Sequence, residues 1–129
     1  MSEPRRVHYG RLPGLKDVYL EDSYVLGIGD EPPILRITLL LVLRENHPQY
    51  APPEGRERYC YRLAVLEFRD VVLANWSRRS LVKYRDADGR VDYGNIDVFY
   101  REVDGSYHLE GDWGTVDITS GPPVIKLTR

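Results

Sequence analysis

Apolar and polar residues alternate along much of the chain, and the clearest alternation runs from Ile34 to Arg44. The residues at odd positions in this segment form one unbroken apolar set: Leu35, Ile37, Leu39, Leu41 and Leu43. A period of two places successive side chains on opposite faces of a strand, and β-branched residues argue further against a helix. The segment therefore predicts a core strand with one fully apolar face.

The opposite face of this predicted strand changes character along its length. Arg36 and Thr38 make its first half polar, whereas Leu40 and Val42 make its second half apolar. A strand end that is apolar on both faces needs cover on both sides. That cover is expected either from another part of this chain or from a second subunit.

Turn-forming residues divide the rest of the chain into further short apolar runs, which is typical of strands joined by turns. One strand is predicted from Asp17 onward, with an apolar face built by Val18, Leu20, Tyr24, Leu26 and Ile28. Asp22-Ser23 either interrupts that face or forms a turn that splits the strand into a hairpin. Later strands are predicted at 59–68, 71–76, 81–84, 93–101, 107–109, 115–119 and 124–127.

Some of these segments leave alternatives open or carry predictions of their own. A helix that begins near Pro52 is the alternative to a strand at the start of the 59–68 run. Ile96, Val98 and Tyr100 are expected on one face of the 93–101 strand. Apolar positions are odd-numbered in 107–109 and even-numbered in 115–119, so a bulge or turn must separate those two strands.

Eight or nine short strands in mostly sequential order predict an all-β domain, either an antiparallel β-sandwich or a flattened barrel. Residues 1–16 have little apolar patterning and are predicted to form an irregular N-terminal arm, with a single β domain over 17–129. Residues 45–58 contain three prolines and one glycine, which predicts a long loop. Loops of that length are often functional or disordered.

Composition narrows the classes of function. Of the 129 residues, 42% are hydrophobic, which argues against a disordered chain. The formal net charge is −2, so the chain has no excess of basic residues of the kind that nucleic-acid binding needs. The longest apolar run, Leu39–Leu43, is far too short to span a membrane. A lone cysteine, Cys60, and the lack of an apolar run behind the N-terminal arginines predict a cytoplasmic protein with neither disulfides nor signal peptide.

One acidic segment has partial calcium-loop character. Asp86, Asp88 and Asp92 are spaced like ligands in the middle of such a loop. Tyr84 and Asn95 would occupy its first and last ligand positions, and neither supplies the carboxylate needed there. A plain hairpin turn is therefore predicted, and no metal or other cofactor is expected.

Four residues are the candidates for contact with a ligand or partner: His47, Tyr50, Tyr93 and Trp113. His47 lies in the long loop, where it could act as a base if a carboxylate stood near it. The chain has ten tyrosines and only two phenylalanines, which suits half-buried strands or a stacking surface for sugars. No catalytic motif or phosphate-binding loop is present in the sequence.

Three blocks carry a resemblance: His47 to Pro53, Asp92 to Asp97, and Leu109 to Gly114. Together they resemble small bacterial proteins of unknown function of about this length, which implies a single β-rich domain but no activity. More loosely, the organisation is similar to immunity-type proteins of bacterial toxin systems. Those proteins are small, acidic, cytoplasmic and non-enzymatic.

Three functions follow in order of preference. The first is a non-enzymatic interaction protein that binds another protein or a second copy of itself through a loop or a sheet face. The second is a small-ligand or carbohydrate binder that stacks its ligand on Tyr50, Tyr93, Tyr107 or Trp113. The third is an enzyme whose site lies near the 45–58 loop, with His47 as its base.

Overall fold

Strands form most of the regular structure in a computed structural model that describes residues 5–55, 57–80, 82–85 and 89–128. The strands are β1 (Val7–His8), β2 (Val18–Glu31), β3 (Ile34–Leu43), β4 (Cys60–Phe68), β5 (Leu73–Arg79), β6 (Tyr84–Arg85), β7 (Val91–Asp92), β8 (Val98–Arg101), β9 (Tyr107–Gly111), β10 (Gly114–Thr119) and β11 (Val124–Leu127). One 3₁₀ turn spans Tyr9–Arg11. No helix in the described ranges is long and apolar enough to cross a membrane.

The strands build two main sheets and one small ribbon. The first sheet has the order β1-β8-β9-β10-β5, the second has the order β11-β4-β3-β2, and β6 pairs with β7. Every strand pair in the described part is antiparallel. The predicted all-β sandwich is confirmed, and the sheets do not close into a barrel. The strand count exceeds eight or nine because β1, β6 and β7 have two residues each.

β3 is the central strand that the sequence predicts. It pairs with β2 on one side and with β4 on the other. All five odd-numbered residues of its apolar face are at most 2% exposed and lie in the core between the sheets. The same register places Leu40 and Val42 on the outer face of the four-stranded sheet.

β2 is one continuous strand, but its predicted face is wrong at Tyr24 and Leu26, whereas Ile28 packs against the core as predicted. The register of β2 against β3 shifts between Tyr19 and Tyr24, so the next buried apolar side chain is Val25 instead of Tyr24. A β-bulge at this point changes which residues face inward. Ser23 fills it: its hydroxyl donates to the Tyr19 carbonyl at 2.7 Å and accepts from the Val42 amide at 2.9 Å.

The 59–68 segment forms strand β4, so the helix alternative is wrong. Although β5 follows closely in sequence, it belongs to the opposite sheet. The chain changes sheets at Asp70, which adopts a left-handed backbone with φ of 55°. The amide of Val71 then donates to the carbonyl of Pro33 at 2.8 Å, which fixes the connection.

The 93–101 segment is a regular strand only from Val98 onward. Phe99 is buried on the core face, whereas Val98 and Tyr100 are half-buried on the opposite face, so the predicted grouping of Ile96 with them is wrong. The grouping fails because the residues before Val98 do not continue β8. Two of them form backbone hydrogen bonds with β2 instead. The Tyr93 amide donates to the Val25 carbonyl, and the Val25 amide donates to the Gly94 carbonyl, each at 2.8 Å.

The described part of the N-terminal segment contributes more than an irregular arm. Besides β1 and the 3₁₀ turn, it places Tyr9, Leu12 and Leu15 in the core, each at most 4% exposed. The Tyr9 hydroxyl donates to the Glu21 carboxylate and accepts from the Leu20 amide. These contacts attach the segment to β2 and make it part of the domain.

Candidate protein-interaction face

The two sheets present outer faces of different chemistry. A row of polar side chains crosses the five-stranded sheet in register, formed by Tyr100, His108, Asp117 and Asn75. The outer face of the four-stranded sheet instead carries aromatic and aliphatic side chains.

His108 is held between two carboxylates on the five-stranded sheet. Its Nδ1 lies 2.7 Å from Asp117 Oδ1, and its Nε2 lies 2.8 Å from Glu110 Oε2. The ring of Tyr100 stacks against it with centroids 5.0 Å apart. Burial alone lowers the pKa of His108, but the hydrogen bonds to Asp117 and Glu110 outweigh burial and raise the pKa above its usual value.

We expect the raised pKa of His108 to make stability depend on pH near neutrality. The stabilisation is fully present below the unfolded-state pKa of 6.5 and is lost as pH rises through the higher folded-state pKa. His108→Gln should lower the free energy of unfolding by about 1 kcal/mol below pH 6.5, because both carboxylate partners are partly exposed. Urea denaturation across a pH series measures both effects.

The control for this prediction is Asn75→Ala on the same outer face. Because Asn75 is exposed, this substitution should change stability little and should leave the slope of stability against pH above 6.5 unchanged. If His108→Gln retained the wild-type slope in that range, the two hydrogen-bonded pairs would not be the cause of the pH dependence.

The outer face of the four-stranded sheet carries what we call the tyrosine face. Its members are Tyr19, Tyr24, Tyr59, Tyr61, Leu40, Val42 and Leu63. The strand register explains most of the set, because Tyr19, Val42 and Tyr61 form one cross-strand row. Tyr24, Leu40 and Leu63 form the next row. Val42 is only 2% exposed, whereas Leu63 is 44% exposed.

Each tyrosine ring of this face contacts the next, in the spatial order Tyr24, Tyr61, Tyr59 and Tyr19. Tyr24 and Tyr61 have centroids 6.1 Å apart, Tyr61 and Tyr59 are 6.0 Å apart, and Tyr59 and Tyr19 are 6.4 Å apart. The last two pairs meet edge to face, which is a favourable geometry for aromatic rings. The rings cover Val42. The end of β3 that is apolar on both faces is therefore covered by side chains of this chain.

Arginines border the tyrosine face. The Arg44 guanidinium lies 4.8 Å from the centroid of the Tyr19 ring. The Arg90 guanidinium lies 5.9 Å from the Tyr24 ring and 6.0 Å from the Tyr61 ring. Arg58 is exposed beside Tyr59. Arg44 and Arg58 are both exposed, and a cation–π contact holds Arg44 at the aromatic surface.

The hydroxyls of Tyr59 and Tyr61 have raised pKa values and therefore stay protonated at physiological pH. Tyr59 donates to Asp22 at 2.8 Å, and this hydrogen bond is the main cause of a raised pKa for Tyr59. Burial, with the neighbouring Tyr24, raises the pKa of Tyr61 to about 12. The face therefore combines aromatic rings, hydroxyl groups, the Asp22 carboxylate and a border of arginines.

Two of the residues predicted from sequence lie in the long loop. Tyr50 is half-buried and lines a pocket together with Tyr19 and Tyr59 at the margin of the tyrosine face. His47 is also half-buried, and its Nδ1 accepts a hydrogen bond from the Gln49 amide at 3.0 Å. Within the described ranges no carboxylate pairs with His47, so the geometry required of a catalytic base is not met there.

The other two predicted contact residues lie against the core. Trp113 is fully buried, and its Nε1 donates to the Asn95 carbonyl at 2.9 Å, so the prediction that it contacts a ligand is wrong. Tyr93 is half-buried and packs against the core. Tyr107 is 5% exposed. The four rings proposed for sugar stacking therefore do not form a common surface.

The acidic segment gives no support for a cation site. Asp86 and Asp88 lie outside the described residues. Asp92 is buried and accepts a hydrogen bond from the Gly94 amide at 2.8 Å, which is a turn contact. Among the residues that are described, no three His, Cys, Asp or Glu side chains are grouped so as to hold a metal ion.

Sequence reasoning did not select Tyr19, Tyr59 and Tyr61 as site residues. The available signal was the alternation of Tyr59 and Tyr61 on one side of a strand beside the apolar Leu40 and Val42. Comparison with known proteins adds nothing to the assignment, because no family model, curated protein or solved structure matches the chain.

Proposed function

We propose that this protein is a non-enzymatic binding domain that uses the tyrosine face to bind an acidic surface of another protein. The observation that carries the proposal is the run of four contacting tyrosine rings on an aliphatic base. Tyr and Arg are the residue types most enriched where protein interfaces concentrate their binding energy. Rings held by one another lose little conformational freedom when a partner binds.

Charge favours another protein over a second copy of this chain. In a symmetric dimer the same face meets itself, which would bring the exposed Arg44 and Arg58 of both copies together. Like charges across an interface oppose association, whereas an acidic partner would be attracted. An immunity-type role would be one form of such binding, and a cytoplasmic location is part of the same proposal.

The proposal predicts which substitutions weaken partner binding. A photo-cross-linking residue at position 24 should capture a defined acidic protein from native cells, whereas the same residue at position 75 should not. With that protein purified, Tyr61→Ala should weaken binding about 30-fold, equivalent to about 2 kcal/mol, because a central ring is lost. Calorimetry gives the affinity, and rising salt should slow association.

The matched control is Tyr100→Ala, which removes a half-buried tyrosine from the outer face of the other sheet. It should leave the affinity unchanged, and thermal unfolding should show that both variants fold. Capture of only a second copy of the chain, or an affinity that Tyr61→Ala does not change, would overturn the proposal.

A further inference from the structure

A pocket of about 330 Å³ lies at the end of the tyrosine face, beneath the start of the long loop. We call it the Arg44/Arg58 pocket. Its lining comes from the ends of β2 and β3 and from the loop: Tyr19, Val42, Leu43, Arg44, Glu45, Tyr50, Arg58 and Tyr59. Its volume is at the lower end of the range for ligand pockets, which suits a single side chain.

The two guanidinium groups of this pocket are available to a ligand. Arg44 uses its Nε on the Val18 carbonyl at 3.3 Å and its flat face on Tyr19. Neither Arg44 nor Arg58 forms an ion pair within the described part of the chain. Glu45 is the single acidic residue among the lining groups, so the lining carries a net positive charge of one, from two arginines and one glutamate.

The aromatic walls add to the affinity of this pocket for a planar anion. Three tyrosines line the pocket beside the two arginines, and the Tyr19 ring lies 4.8 Å from the Arg44 guanidinium. Arginine presents a fork of donors that matches the two oxygens of a carboxylate. An ammonium group would instead meet two arginines of like charge and a single carboxylate, that of Glu45.

We propose that the Arg44/Arg58 pocket binds a carboxylate of the partner protein and thereby fixes the partner's register on the tyrosine face. This inference rests on the proposed function, since it names what one end of that face recognises. The carboxylate can come from an aspartate or glutamate side chain or from a free chain terminus, because both present the same pair of oxygens.

Short peptides test the pocket without any knowledge of the partner. The probes are acetyl-Gly-Asp-Gly-amide, its asparagine counterpart, and acetyl-Gly-Gly-Leu with a free carboxyl terminus. The side-chain Nε–H signals of Arg44 and Arg58 are followed by NMR in the full chain at constant ionic strength. We expect saturable shifts with the first or third peptide, and which of the two binds tells side chain from chain terminus.

Variants show whether the arginines cause the binding. Arg58→Gln should weaken peptide binding about tenfold, as expected for the loss of a charge-assisted hydrogen bond. Arg79→Gln is the matched control, since the Arg79 guanidinium also stacks on a ring, 4.6 Å from Trp76, but on the other sheet. Its affinity should equal that of the wild type.

Several results would overturn the inference. The absence of a saturable shift with both the aspartate and the free-terminus peptides would do so, as would binding of the asparagine peptide as tight as that of either carboxylate peptide, or tighter binding of inorganic phosphate than of any carboxylate. The outcome is separable from that of the proposed function. If Tyr61→Ala weakens partner binding and Arg58→Gln does not, the pocket proposal fails alone; if peptides bind but no partner uses the tyrosine face, the proposed function fails alone.

Discussion

Trp113→Ala is expected to lower the free energy of unfolding by about 3–5 kcal/mol, the range for removing a large buried aromatic side chain. The Trp113 ring is fully buried in the turn between β9 and β10. It packs edge to face against Trp76, with centroids 6.0 Å apart, and donates to the Asn95 carbonyl. Its loss leaves a cavity and an unpaired carbonyl. Urea denaturation monitored by circular dichroism measures the change.

Trp76→Ala is the matched control for this prediction, because it removes the partner ring from a half-buried position. Trp76 also donates a hydrogen bond, to Asp30 at 2.9 Å, but one side of its ring faces the Arg79 guanidinium. The loss of stability should therefore be clearly smaller than for Trp113→Ala. Equal losses of stability would mean that Trp113 contributes no more to the core than the half-buried Trp76 does, contrary to its full burial in the structure.

The second large loss of stability is expected when a leucine on the core face of β3 is truncated. Leu39→Ala should lower the free energy of unfolding by about 2–5 kcal/mol, because Leu39 is completely buried between the sheets. Leu40→Ala changes the same residue type one position away, on the tyrosine face, where the side chain is half-buried. Its cost should be about 1 kcal/mol.

Denaturation midpoints of the two leucine variants provide the comparison, with slopes checked so that both unfold in the same manner. The difference in stability tests the register of the strand and not only the burial of one residue. A larger loss from Leu40→Ala than from Leu39→Ala would mean that the faces of β3 are assigned the wrong way round.

Local sequence was sufficient to predict the fold class and the central strand. The alternation from Leu35 to Leu43 is set by side chains within one strand, and turn signals such as Asp104-Gly105 lie beside the strands they join. The same reasoning failed at residues 93–97, because Tyr93 and Gly94 form backbone hydrogen bonds with Val25, which is far away in sequence. No local pattern contains that information.

The candidate site, like the fold, could be predicted only where neighbouring residues in the sequence determine it. The apolar pair Leu40 and Val42 indicated a surface that needed cover, and this much was readable from one strand. The identity of the cover was not, because Tyr19 and Tyr61 meet Val42 only through the register of three strands. Trp113 was misassigned for a related reason: its burial depends on Asn95 and Trp76, which other parts of the chain supply.

The bulge at Ser23 has a consequence for how this chain can change in length. β2 uses 14 residues where β3 uses 10, and the surplus is taken up at two register shifts. The first shift turns Tyr24 outward and Val25 inward. Deleting one residue between Tyr19 and Ser23 would leave Tyr24 four positions after Tyr19, a spacing at which regular alternation alone puts both rings on the outer face. Substitutions leave this spacing unchanged, whereas a change in chain length here decides whether the strand needs a bulge at all.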